Sequence, residues 1–576
     1  MYDKASSDTY LFNPRTFDGS PFDEETRQLM HAFVDWYESR GKKQLVDDYT
    51  GWHRDFLSFA GEAGLYSSCL IPAEDSAGEQ RWDTARNAAF NELLGFYGIN
   101  GWYTWHVSVL GLLPFWSSSN TDARKRAVEL LKQGHSAAFA LSEKEHGADI
   151  YSTDMLLEPT ADGAFVANGT KYYIGNGNVA ALVTVFGRRT DADGVDGYMC
   201  FTADSRRSGY RAVRNVANQH LYVGEIELTD YEVRPRDILH TGRAAFEAAL
   251  NSVNIGKFNL SGAGLGACEH AFHESLNHAH HRRLYGRSVT AFPHVKRLFG
   301  ESYLRLVAMK MFTGRTAHYI RAAHAGDRRY ILFTALSKVH VTTEAERVMS
   351  LLWDVIAAKG FEAATHFNWV ARDLPGLPRL EGTVHVNTLL VLKFIQAYFT
   401  GDAQLAPVPD LTAAPSDDSY ILRQAGTGSL GDVRFPDWRT AFHGFDHLPN
   451  VRLFREQAEQ LAVLVSGNGG TAAKMGSDVE FSLAVGPLFT LVVYGQLILE
   501  QASLLGADAR VVDGVFGLLV KDYSGRLVEF HSFPSTDETE QAWAMAAIRR
   551  PLWDKERDEH VASLVASLAG AYEMRP

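Results

Sequence analysis

One carboxylate in the sequence stands where a catalytic base could act. Glu381 lies in the stretch LPRLEGT, residues 377–383, between an apolar residue and a glycine and after a proline-bent segment. A dry cavity would raise the pKa of such a carboxyl group and fit it for general-base catalysis. The other interpretation is a loop glutamate that pairs with a nearby basic residue.

Three arginines could bind an anion. Arg282, Arg283 and Arg287 flank the pair Tyr285-Gly286 at a predicted helix end. The guanidinium fork suits a phosphate group. Cations at the last turn of a helix also interact favourably with its dipole, so a solvated helix end is the alternative.

Two motifs for cofactors and metals are incomplete. The glycines of Gly262–Gly266 lack the spacing of a dinucleotide loop and have no βαβ unit around them. His273 and His278 are five residues apart, about 140° around a helix, so they cannot share a zinc ion on one face. We predict no metal site.

Composition limits the possible partners. The 576-residue chain carries 56 Lys and Arg against 69 Asp and Glu, a formal net charge of -13. Nucleic-acid affinity depends on basic residues that neutralise phosphates, so the charge argues against a nucleic-acid partner. The chain is long enough for two or three domains with substantial cores.

The compartment is predicted from cysteines and targeting signals. Cys69, Cys200 and Cys268 are far apart and form no CxxC pair, which is typical of reduced thiols. The N-terminus has no apolar signal region. Residues 481–499 lack charge but contain Pro487 and Gln496, which favours a buried helix over a membrane span. We therefore expect a cytoplasmic protein without a membrane span.

The order of predicted elements indicates an α+β fold. Apolar residues recur at helical spacing before and after a central block in which they alternate as in strands. We predict an antiparallel β-domain, because turn pairs such as Asp162-Gly163 and Asn168-Gly169 punctuate that block. The predicted segments are an N-terminal helical domain (1–136), the β-domain (137–240), a helical bundle domain (241–400), a linker (401–434) and a C-terminal helical domain (435–576).

Four motifs in this order resemble those of the acyl-CoA dehydrogenase family. The resemblance covers roughly residues 20–400. Its longer members, the very-long-chain dehydrogenases and the acyl-CoA oxidases, carry a helical extension in the place of residues 435–576. The motifs, with the family pattern in brackets, are Ser142-Glu143 with Gly147-Ala148-Asp149 (T-E-P-x-A-G-S-D), residues 169–177 GTKYYIGNG (G-x-K-x-W-I-T-N-G), Arg282-x-x-Tyr285-Gly286 (R-x-x-F-G), and Arg372-Asp373 with Glu381-Gly382-Thr383 (R-D…E-G-T).

The resemblance implies an FAD site and a base. Glu381 would be the catalytic base; some relatives carry the base on the long helix instead, where this chain has Gly256. Several positions depart from the family, with Gly175 for a threonine, Tyr173 for a tryptophan and Ala148 for a serine. The implied cofactor-binding residues are Phe139, Leu141, Ser142, Ala148, Tyr173, Gly175, Arg282, Phe292, Gly382, Thr383 and His385.

The implied reaction is the FAD-dependent α,β-dehydrogenation of an acyl thioester, on coenzyme A or on an acyl carrier protein. An external acceptor such as an electron-transfer flavoprotein would take the electrons. Two alternatives stay open: an acyl-CoA oxidase that uses O₂, and a redox-inactive relative that binds acyl thioesters with a degraded flavin site. The extension would cover the face through which shorter members form tetramers, so a homodimer is expected.

Overall fold

The computed structural model describes residues 10–576 apart from 21, 51–53, 77, 79, 218–220, 412–414, 424–429 and 467–470. The chain forms two compact units. The sheet unit comprises Phe22–Asn259, Ala414–Thr427 and Met574–Pro576. The helical unit comprises Met1–Pro21, Leu260–Ala413 and Gly428–Glu573. Residues 22–240 of the first two predicted segments thus share one unit, and the third segment divides between both.

The sheet unit begins with six helices. Helix α4 starts where the Asp83 side chain accepts hydrogen bonds from the backbone N–H groups of Ala85 and Arg86. Every residue of α5 is buried, so this helix forms the centre of the unit. The helices are α1 (Glu24–Thr50), α2 (Arg54–Glu62), α3 (Leu65–Leu70), α4 (Thr84–Tyr97), α5 (Ile99–Trp116) and α6 (Thr121–Lys132).

Eight strands follow in one sheet. Their order is β6-β7-β3-β2-β4-β5-β8, and β1 pairs with β4. Apolar side chains from most of these strands form one core. The strands are β1 (Ala137–Ala140), β2 (Leu156–Pro159), β3 (Phe165–Gly175), β4 (Leu182–Arg189), β5 (Tyr198–Asp204), β6 (Tyr210–Asn215), β7 (Val223–Val233) and β8 (Ile238–Thr241).

The sheet is mixed, which corrects the prediction of an antiparallel domain. Strands β1 and β2 both pair with β4 in parallel, while the other ladders of this sheet are antiparallel. A parallel pair needs a connection long enough to carry the chain back. Residues 141–155, between β1 and β2, are such a connection. The length of this loop indicates a parallel pair, which the alternation of apolar and polar residues does not.

One predicted turn is present and one is not. The chain reverses at Gly163 (φ 79°) between β2 and β3, as predicted for Asp162-Gly163. Asn168-Gly169 instead lies inside β3, at an irregularity in its pairing with β7. Gly169 has φ 152°, which fits a bulge within a strand rather than a turn. Strand β3 therefore continues through this pair.

The helical unit continues from α7, a 39-residue helix that begins in the sheet unit. The unit also contains a two-stranded hairpin, β9 (Arg283–Leu284) and β10 (Arg287–Ser288). Its helices are α8 (Pro293–Arg321), α9 (Tyr330–Leu336), α10 (Thr342–Ile356), α11 (His366–Asp373), α12 (Val384–Leu392), α13 (Ile395–Phe399), α14 (Pro449–Ser466), α15 (Thr471–Ser477), α16 (Val479–Leu505), α17 (Ala509–His531), α18 (Glu538–Ala547) and α19 (Lys555–Ser567).

Helix α16 contains the uncharged run that was considered as a membrane span. It is long and apolar enough to cross a membrane, but 83% of its most apolar window is buried in the protein. Its Glu500 accepts hydrogen bonds from Arg315 Nε and Tyr319 Oη of α8, both at 2.7 Å. Gln496 Nε2 donates to Glu500 at 2.7 Å. These contacts place α16 in the interior of the helical unit, as a core helix.

The predicted linker contains an ordered strap, residues 415–423, that belongs to the sheet unit. Asp417 accepts hydrogen bonds from the backbone N–H groups of Ala73 (3.1 Å) and Trp82 (2.8 Å). Asp418 accepts one from Thr84 N–H at 2.7 Å, at the first residue of α4. Residues 412–414 and 424–429 of the predicted linker lie outside the described residues. The strap therefore fixes the start of α4.

Candidate active site

The loop between β1 and β2 carries several of the predicted cofactor-binding residues. Phe139 is buried in β1, where it pairs with Thr184 of β4. Leu141 and Ser142 are half-buried, and Ala148 is exposed further along the loop. Glu143 is buried, and its carboxylate accepts a hydrogen bond from Lys171 Nζ at 2.7 Å. The loop is therefore anchored near its start and exposed in its middle.

Strand β3 brings a second predicted group beside this loop. The backbone N–H of Tyr172 donates to the carbonyl of Ser142 at 3.0 Å. The next residue, Tyr173, has φ 61° and a side chain that is 63% exposed. A left-handed backbone at a bulky residue costs of order 1–3 kcal/mol and is often found at functional sites. The structure thus pairs Ser142 with Tyr172, the residue before Tyr173, and the Tyr173 ring is exposed.

Gly175 packs directly against helix α5. A Cβ atom at this position would lie 2.4 Å from Val107 Cγ1 and 2.9 Å from Tyr103 Oη. Real Cβ atoms do not approach other atoms so closely. The family's threonine therefore has no room here, because Val107 occupies its space. Gly175 and Val107 fit each other, and the missing hydroxyl is part of this close packing.

We expect Gly175→Ala to destabilise the protein by about 1–3 kcal/mol, the usual cost of overpacking a core. Val107 is buried and β-branched, so its side chain has little freedom to move aside. Urea unfolding followed by circular dichroism measures the loss. The double variant Gly175→Ala/Val107→Ala should lose less than the sum of the two single losses.

Gly525 provides the matched control for this substitution. It is an exposed residue of α17, and a Cβ atom there would meet nothing within 4 Å. Gly525→Ala should stabilise the protein by about 0.4–1 kcal/mol, because alanine favours the helix and loses less entropy on folding. Equal effects at both glycines would contradict the packing argument.

Glu381 lies in a tight turn of the helical unit. Its φ is 56° and that of Gly382 is 83°, both in the left-handed region. Asn387 Nδ2 donates to the carbonyls of Glu381 (3.2 Å) and Thr383 (3.0 Å). Thr383 caps α12 by accepting a hydrogen bond from Val386 N–H at 3.4 Å. The half-buried Glu381 is thus held by its backbone on a strained turn.

The arginine cluster follows the end of α7 at His281, as predicted, and continues into the β9–β10 hairpin. Tyr285 (φ 50°) and Gly286 (φ 78°) form its two-residue turn, and Tyr285 is 95% exposed. Positive φ at both central residues is the requirement of the common hairpin turn. Arg287 stacks over the Phe292 ring at 4.0 Å. The exposed members of this hairpin are Arg282, Arg283, Leu284, Tyr285 and Arg287.

The candidate residues divide between the units. The sheet unit holds the loop and strand residues, and the helical unit holds Glu381 with Gly382 and Thr383, exposed His385 at the start of α12, and the arginine hairpin. Lys171 was not predicted as a site residue. A lysine in a strand with one buried face is unusual, because lysine is almost never fully buried without a partner. That pattern is the signal that could have identified Lys171.

Residue types that bind metals occur at two places, a cluster around Glu143 and the buried His273. Glu143, His146 and Asp154 place ligand atoms within 4.8 Å of one another, but Lys171 already occupies Glu143. Buried His273 donates from Nε2 to the carbonyl of Phe12 at 3.3 Å. Burial lowers the pKa of His273 to about 4, and its hydrogen bond to Phe12 opposes this only in part. Glu143 is thus already paired with Lys171, and His273 is already hydrogen-bonded to Phe12, so neither place indicates a metal site.

Comparison with known proteins shows what the chain is similar to. Residues 246–396 match the family model of the acyl-CoA dehydrogenase C-terminal domain. Over these residues the chain is similar to the acyl-CoA dehydrogenase family. A probable short/branched chain specific acyl-CoA dehydrogenase of Dictyostelium discoideum is 23% identical over 279 residues, 48% of this chain and 67% of that protein. The human very long-chain specific enzyme is 24% identical, over 51% of this chain and 47% of that protein.

Solved acyl-CoA dehydrogenases have the same fold. The Bacillus anthracis enzyme in complex with FAD matches 97% of this chain and 96% of its own, with a TM-score of 0.73 and 16% identity. Butyryl-CoA dehydrogenase of Megasphaera elsdenii matches 64% of this chain and 98% of its own, with a TM-score of 0.59 and 17% identity. The predicted α+β class, with helical domains around a β-domain and a further helical domain, is confirmed.

Each unit carries a group of a kind that binds part of a flavin dinucleotide. Exposed Tyr173 offers an aromatic face beside the loop backbone at Ser142. Exposed Arg282 of the hairpin offers a guanidinium fork suited to phosphate. Ala148 and Gly175 supply no hydroxyl group. The sheet unit therefore keeps an exposed aromatic ring and the helical unit an exposed cation, while the hydroxyl groups of the family pattern are missing at Ala148 and Gly175.

Proposed function

We propose that this protein catalyses the FAD-dependent α,β-dehydrogenation of an acyl thioester, on coenzyme A or on an acyl carrier protein. Similarity to the family supports the coarse assignment, an oxidoreductase that acts on CH–CH groups and uses FAD. The finer assignment, the dehydrogenation itself, rests on Glu381. This residue lies on a turn in which both Glu381 and Gly382 have positive φ. Such strain persists where the surrounding structure requires it.

Glu381 would act as the general base. Its carboxylate takes the proton from the carbon next to the thioester carbonyl, while the hydrogen on the following carbon leaves with its electron pair. The double bond forms between these two carbons. FAD, when bound, supplies the two-electron acceptor for that hydrogen. Because the turn is fixed by Asn387 at two carbonyl groups, the base is held without reorganisation.

The cofactor would be held by residues that contact its ring system and by an arginine that binds its phosphate. Leu141, Ser142 and Tyr173 would contact the ring system, and Arg282 would pair with a phosphate. Phe292 would support the hairpin, since Arg287 stacks on its ring. Gly382, Thr383 and His385 would complete the site beside the base.

A second candidate is a redox-inactive relative that binds acyl thioesters. Ala148 and Gly175 favour it, because neither can replace a lost hydroxyl and the space at Gly175 is filled. An oxidase that returns electrons to O₂ would use the same base. One solved neighbour is a prolyl acyl carrier protein oxidase, with a TM-score of 0.53 and 18% identity.

The visible absorption spectrum tests the proposal. The purified protein, with FAD added, is titrated anaerobically with acyl-CoAs of increasing chain length. A flavin spectrum that bleaches with one of them is the expected result, and the active chain length names the substrate. Protein that takes up no FAD would overturn the proposal and favour the redox-inactive relative. Reoxidation by O₂, compared with an electron-transfer flavoprotein, separates an oxidase from a dehydrogenase.

The assembly and location are also proposals. A homodimer is proposed because the C-terminal helical extension would cover the face through which shorter members of the family form tetramers. An external electron acceptor is expected for a dehydrogenase of this family. The buried state of Cys69, Cys200 and Cys268 is consistent with a cytoplasmic protein.

A further inference from the structure

A buried carboxylate lies at the start of an exposed loop. Most of residues 144–149 are exposed, yet Glu143 is only 5% exposed. Its Oε1 accepts hydrogen bonds from Thr153 Oγ1 (2.6 Å) and Met155 N–H (3.2 Å), and its Oε2 accepts one from Asp154 N–H (2.7 Å). One side chain thus ties the first residues of the loop to its last.

A buried ammonium group completes the arrangement. Lys171 lies in β3 and is fully buried. Its Nζ donates to Glu143 (2.7 Å), to the carbonyl of Leu141 (2.9 Å) and to Thr153 Oγ1 (3.3 Å). An ammonium group has three protons, so each has an acceptor. Lys171 therefore fastens both ends of the loop to the strand that carries Tyr173.

The charges of this pair are stabilised by each other. Burial disfavours the charged form of Glu143, but Lys171 and the hydrogen bonds from Thr153 and Asp154 together keep the pKa of this carboxyl group below its usual value. Burial lowers the pKa of Lys171, an effect that Glu143 opposes. The residues described around the pair thus favour an ionised carboxylate.

Stability alone does not explain such a pair. Replacing a buried ion pair by well-packed apolar residues is often neutral or stabilising, because the cost of desolvating two charges is removed. What an ion pair with fully used hydrogen bonds provides is a defined geometry. Here that geometry concerns Leu141, Ser142 and Tyr173, each within two residues of one of the paired side chains.

We propose that the Glu143–Lys171 pair positions the flavin-binding loop and strand of the sheet unit, an inference that rests on the function proposed above. Both side chains are buried, so the proposed role is positioning and not direct contact with substrate or cofactor. It acts through the backbone of Leu141 and Ser142 and through the presentation of the Tyr173 ring. Removing it should loosen this geometry even where the fold is kept.

The experiment compares Lys171→Met, Glu143→Gln and the apolar double variant Glu143→Leu/Lys171→Met with the unaltered full-length protein. FAD affinity is measured by titration, and stability by the thermal midpoint. We expect each single variant to lose stability, because one buried charge is left unpaired. The double variant should recover the thermal midpoint, yet bind FAD at least about tenfold more weakly, as when outer partners of a bound group are removed.

Asp237→Asn is the matched control. Asp237 is a fully buried carboxylate of the same unit, paired with Arg126 (3.3 Å) and Arg207 (3.1 Å). The Asp237→Asn variant should lose stability but keep its FAD affinity within about twofold, because Asp237 lies outside the loop. An equal loss of affinity in this control would overturn the positioning role, as would a double variant that binds FAD like the unaltered protein.

A second readout needs no cofactor. Hydrogen exchange is followed at the amides of Asp154, Met155 and Tyr172, whose partners are Glu143 and Ser142. In Lys171→Met these amides should exchange at least about tenfold faster, while those of β4 and β5 keep their protection. If the unaltered protein takes up no FAD, the proposed function fails by itself. Unchanged exchange in Lys171→Met would overturn the positioning role.

Discussion

Glu381→Gln is expected to lower turnover by at least about 100-fold, the loss typical of removing a general base. The amide has nearly the shape of the carboxylate but cannot accept the α-proton. FAD content and thermal midpoint should stay those of the unaltered protein, because Asn387 holds the turn through backbone carbonyls. Steady-state turnover and the anaerobic bleaching of the flavin by substrate measure the effect.

Two further variants separate chemistry from folding. Glu362→Gln neutralises a carboxylate of the same unit that pairs with Lys359 at 3.1 Å on an exposed surface, and it should keep full turnover. Glu381→Gly should be equally inactive but no less stable, since glycine adopts φ 56° without strain. Turnover within a few-fold of normal in Glu381→Gln would remove Glu381 as the base.

Arg305→Met should destabilise the helical unit by about 3–5 kcal/mol, the cost of leaving buried charges unpaired. Arg305 is 3% exposed, and its guanidinium donates to Glu344 (2.6 Å), to Asp522 (2.8 Å) and to Glu301 (2.9 Å). These carboxylates come from α10, α17 and α8, so the substitution removes a buried cation that all three share. The more exposed Arg347 still pairs with Glu301 (3.3 Å) and Asp522 (2.9 Å). Urea unfolding measures the loss.

An exposed ion pair and the pH dependence of stability provide the controls for the Arg305 substitution. Arg526→Met removes an exposed pair with Glu529 on α17 and should change stability by no more than about 1 kcal/mol. Burial opposes ionisation of Asp522, but Arg305 keeps its pKa below the usual value. That contribution is present above about pH 4 and is lost as the pH falls through the folded-state pKa. A steep acid loss that persists in Arg305→Met would assign it to other groups.

Local patterns predicted the elements better than their pairing. Alternation over 138–238 located the sheet, whose strands run from Ala137 to Thr241. It could not distinguish parallel from antiparallel neighbours, because the side-chain period is two in both. Asn168-Gly169 was predicted as a turn on propensity, but the pairing of β3 with β7 continues past it. Pairing depends on the whole sheet and overrides a dipeptide preference.

The motifs predicted which residues matter and missed how they are held. Glu143 and Lys171 were part of two separate motifs, 28 residues apart, and no spacing rule relates them. Gly175 looked like a lost threonine, since the sequence does not show that Val107 fills the space. The strap at Asp417 and Asp418 looked like a linker because its composition is polar, and only its hydrogen bonds show otherwise.

The strap restricts how this chain can be shuffled as a gene. Ala414–Thr427 and Met574–Pro576 belong to the sheet unit, although the segments on either side belong to the helical unit. A cassette exchange at residue 400 would remove Asp417 and Asp418 from α4 together with the final helices. It would also remove Arg575, whose carbonyl accepts a hydrogen bond from Lys42 N–H of α1 at 2.8 Å. An exchanged C-terminal segment would therefore have to supply these hydrogen-bond partners of α1 and α4 as well.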